Sequence, residues 1–343
     1  MDAQAGIWTY VTRRLIGTLP LLMGVAVFTF ILVRVLPGDP AVYYATGPLA
    51  TQEEIESVRK ALGLDRPVPE QLLRYFRDLG SGDLGHSLVT GQPVVRDLSQ
   101  RFPASLELVT VAMAIALIVA IPLGIVAAVR AGSLTDQVVR FVGTLGVSMP
   151  AFVVGIVLIF GFYFKLGIAP EPIDRIDPFL LKPAHITGLM LVDSVLAGDF
   201  AAFRSAAGRL VLPAFTMAII VIAPLMRMTR ASMIAVLEGE FIRTARAAGL
   251  SRWTIYVRYG LRNAFLPVLT TIGLVISYQL GANVVVEKVF AWPGVGSYAL
   301  NSLLASDYAP VQGYVLLMAC VYVVINTGID LLYAVLDPRM RMQ

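Results

Sequence analysis

Charged residues are spread so unevenly along this chain that six long intervals contain none: Leu15 to Val33, Leu108 to Val129, Phe141 to Phe164, Leu210 to Met226, Asn263 to Val286 and Tyr308 to Ile329. A helix needs about 20 apolar residues to cross about 30 Å of hydrocarbon, and each interval comes close to that length. The expectation is an all-α polytopic membrane protein with six transmembrane helices. Composition agrees, since 57% of the 343 residues are hydrophobic and 15% charged, against about 25% charged in a soluble domain. The run Pro183 to Val192 is too short to cross and reads as an interfacial or packed helix. Arg13 and Arg14 precede an apolar stretch, as in a signal peptide. That stretch is too long and ends in Arg34 and PGDP rather than small residues, so it reads as a retained anchor.

Six spans put both termini on one side, and the basic residues indicate which. With cytoplasmic termini, the inner segments (1–14, 130–140, 227–262, 330–343) hold 13 Lys and Arg in 75 residues, and the outer segments (37–104, 165–209, 287–307) hold 13 in 134. The density bias lies in the short inner loops, which is where it sets orientation. The net charge of +4 is thus a topology signal that requires no nucleic-acid partner. Cys320 is the single cysteine, so no disulfide forms within one chain.

Four segments follow: 1–36, the cytoplasmic N-terminus and first span; 37–104, an extracytoplasmic cap; 105–336, the main membrane core; and 337–343, a cytoplasmic tail. In the cap, Thr51 and Glu54 form a capping box that opens a helix through Ile55, Val58 and Leu62 to Gly63. A second helix is expected from Glu70 to Leu79, ending in the glycine-rich GSGDLGHSL, with no strands. In span three, Ser148, Met149 and Pro150 mark a kink, and Gly143, Gly146, Gly155 and Gly161 permit close helix approach. Span four is expected to be short and contains Pro224. ITGLMLVDSVLAGDFAAF, 186–203, reads as short helices.

The most basic short segment is Glu240 to Pro267, EFIRTARAAGLSRWTIYVRYGLRNAFLP. Good helix formers run from Glu240 to Ala248, and Gly249 stands where a helix end favours positive φ. Ser251 can cap a second helix carrying Trp253, Ile255, Tyr256 and Tyr259 into span five. Thr244, Ala245, Ala247 and Ala248 keep the first helix thin enough for another protein to close around it. On the residues alone, a docking helix and an Arg-rich helix lying on anionic lipid stand at even odds.

Catalytic chemistry is hard to place on this chain. No GxxxxGK[ST] occurs, so the chain has no P-loop. His86 and His185 are far apart, and Asp136, Glu238 and Asp330 make no acid pair. Gln279 and Asn283, four apart on one face of span five, and Asn326 with Asp330 in span six could line a hydrated path. Hydrogen bonding between helices is the favoured alternative for each.

Eight segments in order carry a family resemblance: PGDP at 37–40, GDLGHS at 82–87, ITGLMLVDSVLAGD at 186–199, MTRASMIAVLEGEFIRTARAAGL at 228–250, LRNAFLPVLT at 261–270, VFAWPGVG at 289–296, DYAPVQG at 307–313 and DLLYAVLDPRMR at 330–341. Together, over essentially the whole chain, they resemble the permease subunits of ATP-binding-cassette importers. More narrowly, they resemble the B-type permease components of dipeptide and oligopeptide importers, a group that includes nickel, glutathione and opine permeases. The family's EAA signature, counted back from Gly249, falls on Arg243, Thr244 and Ala245, so arginine replaces the leading acid. Leu266 and Pro267 lie farther from the glycine than in the general pattern.

The resemblance implies a type I importer permease fold with a small helical cap between helices 1 and 2. It implies a bacterial inner (plasma) membrane and no catalysis by this chain. Glu240, Arg243, Thr244, Ala245, Arg246, Ala247, Ala248, Gly249 and Leu250 would form a coupling helix contacting one or two P-loop ATPase subunits, which carry ATP and Mg. Gln279, Asn283 and Asn326 would face the translocation pathway. A second homologous permease subunit would complete a heterodimer, and an extracytoplasmic binding protein would deliver short peptides, or in the alternative glutathione, opines or nickel. Neither cofactor nor metal is expected on this chain, and its remaining contact is membrane lipid. An ion-gradient-driven secondary transporter is the first rival, but it would need intramembrane acids or repeated broken helices that the sequence lacks. An intramembrane enzyme lacks its catalytic pairs, and a structural scaffold would work without ATPases.

Overall fold

Hydropathy alone sets the main helices of the computed structural model, which describes residues 2–35, 41–42, 45, 51–61 and 63–336. PGDP at 37–40, Leu62 and the tail 337–343 lie outside the described residues. The helices are α1 (Asp2–Val35), α2 (Gln52–Ala61), α3 (Val68–Gly80), α4 (Val94–Val129), α5 (Leu134–Ser148), α6 (Ala151–Leu158), α7 (Met190–Leu196), α8 (Phe200–Leu237), α9 (Glu240–Ala247), α10 (Arg262–Val289), α11 (Val295–Leu304) and α12 (Tyr308–Leu336). Two wider, π-helical segments, Ile159–Lys165 and Thr254–Leu261, extend α6 and precede α10. Among the described residues there is no strand, only an isolated bridge between His86 and Pro93.

Among the described residues, five helical stretches are long and apolar enough to cross a membrane: Ile16–Val35, Val94–Val129, Phe200–Leu237, Thr254–Gly281 and Tyr308–Tyr333. The sixth expected span is a broken pair, Leu134–Gly146 with Ala151–Lys165, bent by 100°. The break falls at the expected Met149 and Pro150: Pro150 has no amide hydrogen, and it holds the residue before it in an extended conformation, Met149 φ −103°, ψ 132°. Span four is not short, because α8 runs 38 residues through both Pro213 and Pro224. Neighbouring helices tolerate the missing bonds, and the charged Arg209 and Arg227 that bound the apolar run belong to the same helix. For the same reason α4 begins at Val94, ahead of the apolar interval. The stretch 183–192 is mostly irregular, and its helix is α7, Met190–Leu196.

The chain forms two compact units. One comprises residues 1–103 and 294–327. Its capping box forms as expected: the Thr51 amide donates to Glu54 Oε2 at 2.8 Å and the Glu54 amide to Thr51 Oγ1 at 3.3 Å. Arg34 at the end of α1 donates to Gln71 Oε1 of α3 at 2.7 and 3.1 Å, and its guanidinium lies 3.3 Å from the Phe30 ring centroid. Val94, Leu98, Val295 and Tyr298 make this unit's buried cluster. Beside it, buried Asp307 accepts the Ser87 hydroxyl at 2.6 Å and the Leu88 and Val89 amides at 2.8 and 3.2 Å.

The second unit comprises residues 104–293 and 328–343, with α8 packed most extensively on α10. Close approach at glycine carries part of this packing. A Cβ built on Gly143 would lie 2.3 Å from Met226 Cε, one on Gly146 3.2 Å from Ile219 Cγ2, and one on Gly155 3.0 Å from the Phe290 ring. Gly161, expected to act likewise, has nothing within 4 Å.

Candidate functional site

The segment joining α8 to α10 is built from a short amphipathic helix. Gly239 precedes α9, whose apolar residues Ile242 and Ala245 are spaced to share one face. Both are buried, at 0% and 7% exposure, in a cluster with Ile255 that Leu237 and Tyr256 flank. The rest of the helix surface, Glu240, Phe241, Arg243, Thr244, Arg246 and Ala247, is exposed. Ala248, Gly249 and Leu250 continue this exposed surface. Arg243 pairs with Glu240 of its own helix at 2.8 Å.

The helix ends where Gly249 takes φ +71°. The Leu250 amide reaches back to the Ala245 carbonyl at 3.2 Å and the Gly249 amide to the Arg246 carbonyl at 3.0 Å, a Schellman closure that needs a left-handed residue. Nothing lies within 4 Å of where a Gly249 Cβ would stand, so the requirement is conformational rather than steric. Ser251 caps the next helical segment as expected, its Oγ accepting the Thr254 amide at 3.2 Å. That segment is π-helical up to Leu261, a wide winding the sequence did not signal. Trp253 at its start is 75% exposed.

Eight of the nine residues expected at this site therefore share an exposed surface, and Ala245 instead anchors the helix from within. Sequence reasoning missed Ile242 as the second anchor, although its three-residue spacing from Ala245 was a readable signal. It also missed an ion pair between α8 and α5. Arg230 of α8 grips Asp136 of α5 through one edge of its guanidinium, Nε donating to Oδ1 at 2.6 Å and Nη2 to Oδ2 at 2.7 Å. Asp136 is fully buried and also accepts the Gly132 amide at 3.0 Å. These partners are 94 residues apart, so no local pattern announces them.

The expected pathway residues are placed separately. Gln279 and Asn283 are 2% and 4% exposed on α10. Asn283 Nδ2 donates to Glu287 Oε1 at 2.6 Å, and the same oxygen accepts the hydroxyl of Ser105 on α4. Asn326 of α12 donates to the Tyr322 carbonyl of its own helix at 2.9 Å. Among the described residues no group of three His, Cys, Asp or Glu could hold a metal ion.

The other end of α8 leads into a loop of different construction. Arg175 and Glu107 form a buried ion pair at 2.6 Å, and Glu107 Oε1 also accepts the Leu191 amide at 2.7 Å. Asp193 accepts the amides of Ile186, Thr187 and Gly188 and the Thr187 hydroxyl. Burial pushes the Asp193 carboxyl up, but the Thr187 hydroxyl and the three amides together outweigh it and hold the group below the usual range. Arg209 donates to the Glu171 and Ile173 carbonyls, both at 2.7 Å.

Known proteins share this sequence along nearly its whole length. Residues 120–342 match the family described as binding-protein-dependent transport system inner membrane component, and residues 7–109 match that system's membrane component N-terminal family. The chain is 41% identical over 333 residues to the probable D,D-dipeptide transport system permease protein of Escherichia coli strain K12, covering 97% of each chain. It is 38% identical to the dipeptide transport system permease protein of the same strain, covering 97% of this chain and 98% of the relative. The glutathione transport system permease protein of Escherichia coli O6:H1 is 37% identical, with the same coverage.

Proposed function

The chain belongs to the family of binding-protein-dependent transport system inner membrane components, and from that premise we propose that it is the permease subunit of an ATP-driven importer of short peptides. It is a multi-pass inner-membrane protein whose apolar helices form part of the translocation path. The observation that carries the mechanism is α9: a helix with an exposed, cationic surface, held to the bundle through Ile242 and Ala245, between two long apolar helices. A separate P-loop ATPase subunit, or two of them, carries ATP and Mg and receives α9 in a groove. ATP binding draws the ATPases together, moves α9, and tilts the bundle between inward-open and outward-open states, a two-state rigid-body switch.

The termini and α9 are cytoplasmic in this proposal. The 37–104 cap and the loops 165–209 and 287–307 face outward to meet a binding protein, and a second homologous permease subunit completes the pore around the 105–336 core. Gln279, Asn283 and Asn326 join the path in the states where helices part. A glutathione importer of the same architecture is the second reading, favoured by the 37% identity to the glutathione permease.

Affinity purification of the tagged chain from its native membrane in mild detergent, followed by mass spectrometry, tests the assembly. Recovery of a second permease, a P-loop ATPase and a peptide-binding protein is the expected outcome. Recovery of homo-oligomers with no P-loop protein would contradict it and return the secondary transporter to first place.

A further inference from the structure

Among the described residues of the second unit, Gln279 is the buried side chain with both polar atoms unsatisfied. It is 2% exposed, yet neither its Nε2 nor its Oε1 has a hydrogen-bond partner, and Asn283 Oδ1, one helical turn on, also lacks one. A side chain serving as glue between helices would spend these atoms on a neighbour, because an unmade bond leaves the full desolvation penalty standing. Natural proteins keep such groups where function needs them.

The surroundings give the group a use. Gln279 lines a narrow crevice between α8 and α10 that Met217, Ile220, Tyr278 and Val286 complete. Tyr278 of that lining is 60% exposed. The lining is apolar and adaptable apart from the Gln279 carboxamide and the Tyr278 hydroxyl, in keeping with a small-molecule subsite, in which few polar groups fix orientation. A carboxamide can donate through its NH2 or accept through its oxygen, and a trans peptide group, whose N–H and C=O point opposite ways, offers a partner for one such bond. The crevice is too narrow for a water molecule in this conformation, so occupancy requires α8 and α10 to part. We propose that Gln279 is a subsite that pairs with a backbone amide of the transported peptide when the bundle opens. The proposal rests on the peptide-permease reading above and specifies which chemical group of the cargo is read inside the membrane.

The test is a cycle that cancels selectivity in the binding protein. The complete importer, reconstituted with Gln279 intact or as Gln279→Met, is given a dipeptide and its counterpart with an N-methylated peptide bond. The preference for the unmethylated dipeptide, as a ratio of ATP-dependent uptake rates, is expected to fall roughly fivefold in the variant, the value of one hydrogen bond. The melting temperature of the variant is expected to hold or rise, since an apolar isostere removes unpaired polar atoms. Should that variant fail to assemble, Gln279→Leu is measured in the same way. An unchanged ratio, or a lowered melting temperature without a change in ratio, overturns the subsite and leaves the importer standing. Absence of ATP-dependent uptake by the unaltered importer overturns the permease reading and the subsite with it.

Discussion

At the Phe200 end of α8, the chain is tied down by charge-assisted bonds: Arg175 to Glu107, Asp193 to three amides and a hydroxyl, and Arg209 to two carbonyls. At the Leu237 end, α9 is held by its own Ile242 and Ala245 packed with Ile255, and its ion pair, Arg243 with Glu240, is internal and exposed. A buried polar network tolerates little displacement, because every bond it loses inside a low-dielectric interior is costly. An apolar contact is non-directional and can slide. In the proposed mechanism the same helix has one end suited to staying fixed and one end suited to being pulled, and the Arg230–Asp136 ion pair ties α8 to α5.

The contrast between the two ends breaks first where the effect is largest. Glu107→Gln should destabilise the protein by about 3–5 kcal/mol, because it leaves Arg175 buried and uncompensated, while a paired apolar replacement of both residues should recover most of the loss. Thermal unfolding in detergent reads both, and an unaffected single variant would show that this end is not fixed by charge.

Next is Asp193→Ala, which strips the acceptor from three amides and a hydroxyl and should cost about 2–3 kcal/mol. The pH dependence follows from the lowered carboxyl. Its folded value lies below the unfolded value of about 3.9, so the stabilisation is complete above that value and is lost as pH falls through the folded one. Hydrogen-exchange protection at residues 186–188, taken relative to the intrinsic exchange rate at each pH, should fall on acidification below about pH 4, and the variant should show no such fall.

At the other end the expected stability effects are small and the functional ones large. Gly249→Val places a β-branched residue at φ +71° without a clash, which should cost about 1–2 kcal/mol. Uptake per ATP hydrolysed should nevertheless collapse while the permease subunits still assemble, and unchanged uptake would refute the role of the helix end. Smallest in stability is Arg243→Ala, which removes an exposed pair and should leave the melting temperature within error. Co-purification of the ATPase, measured against rising salt, should weaken in that variant.

Much of this contrast could be read from the sequence, for unequal reasons. Charge-free intervals located the spans because the membrane imposes a length, and Gly249 and Ser251 marked the borders of α9 because turn and cap chemistry is local. Span ends were misjudged where charged residues such as Arg204 and Arg96 sit on helices that continue beyond the apolar run, and where Pro213 and Pro224 do not stop α8. The fixed end was invisible as such. Arg175 and Glu107 are 68 residues apart, and Ser105 and Glu287 are 182 apart, so these bonds exist only once the fold brings the helices together. The π-helical winding of Thr254–Leu261 likewise has no residue pattern of its own.

The central claim is that α9 is a lever gripped by a separate ATPase rather than a helix resting on lipid. A photo-crosslinking amino acid placed singly at Thr244 and Arg246, both exposed on α9, and irradiated in native membranes tests it most directly. The expected adducts have masses and peptides that identify a P-loop ATPase, and their yield changes between nucleotide-free and ATP-trapped states. Adducts with phospholipid alone, at both positions and in both states, would contradict it.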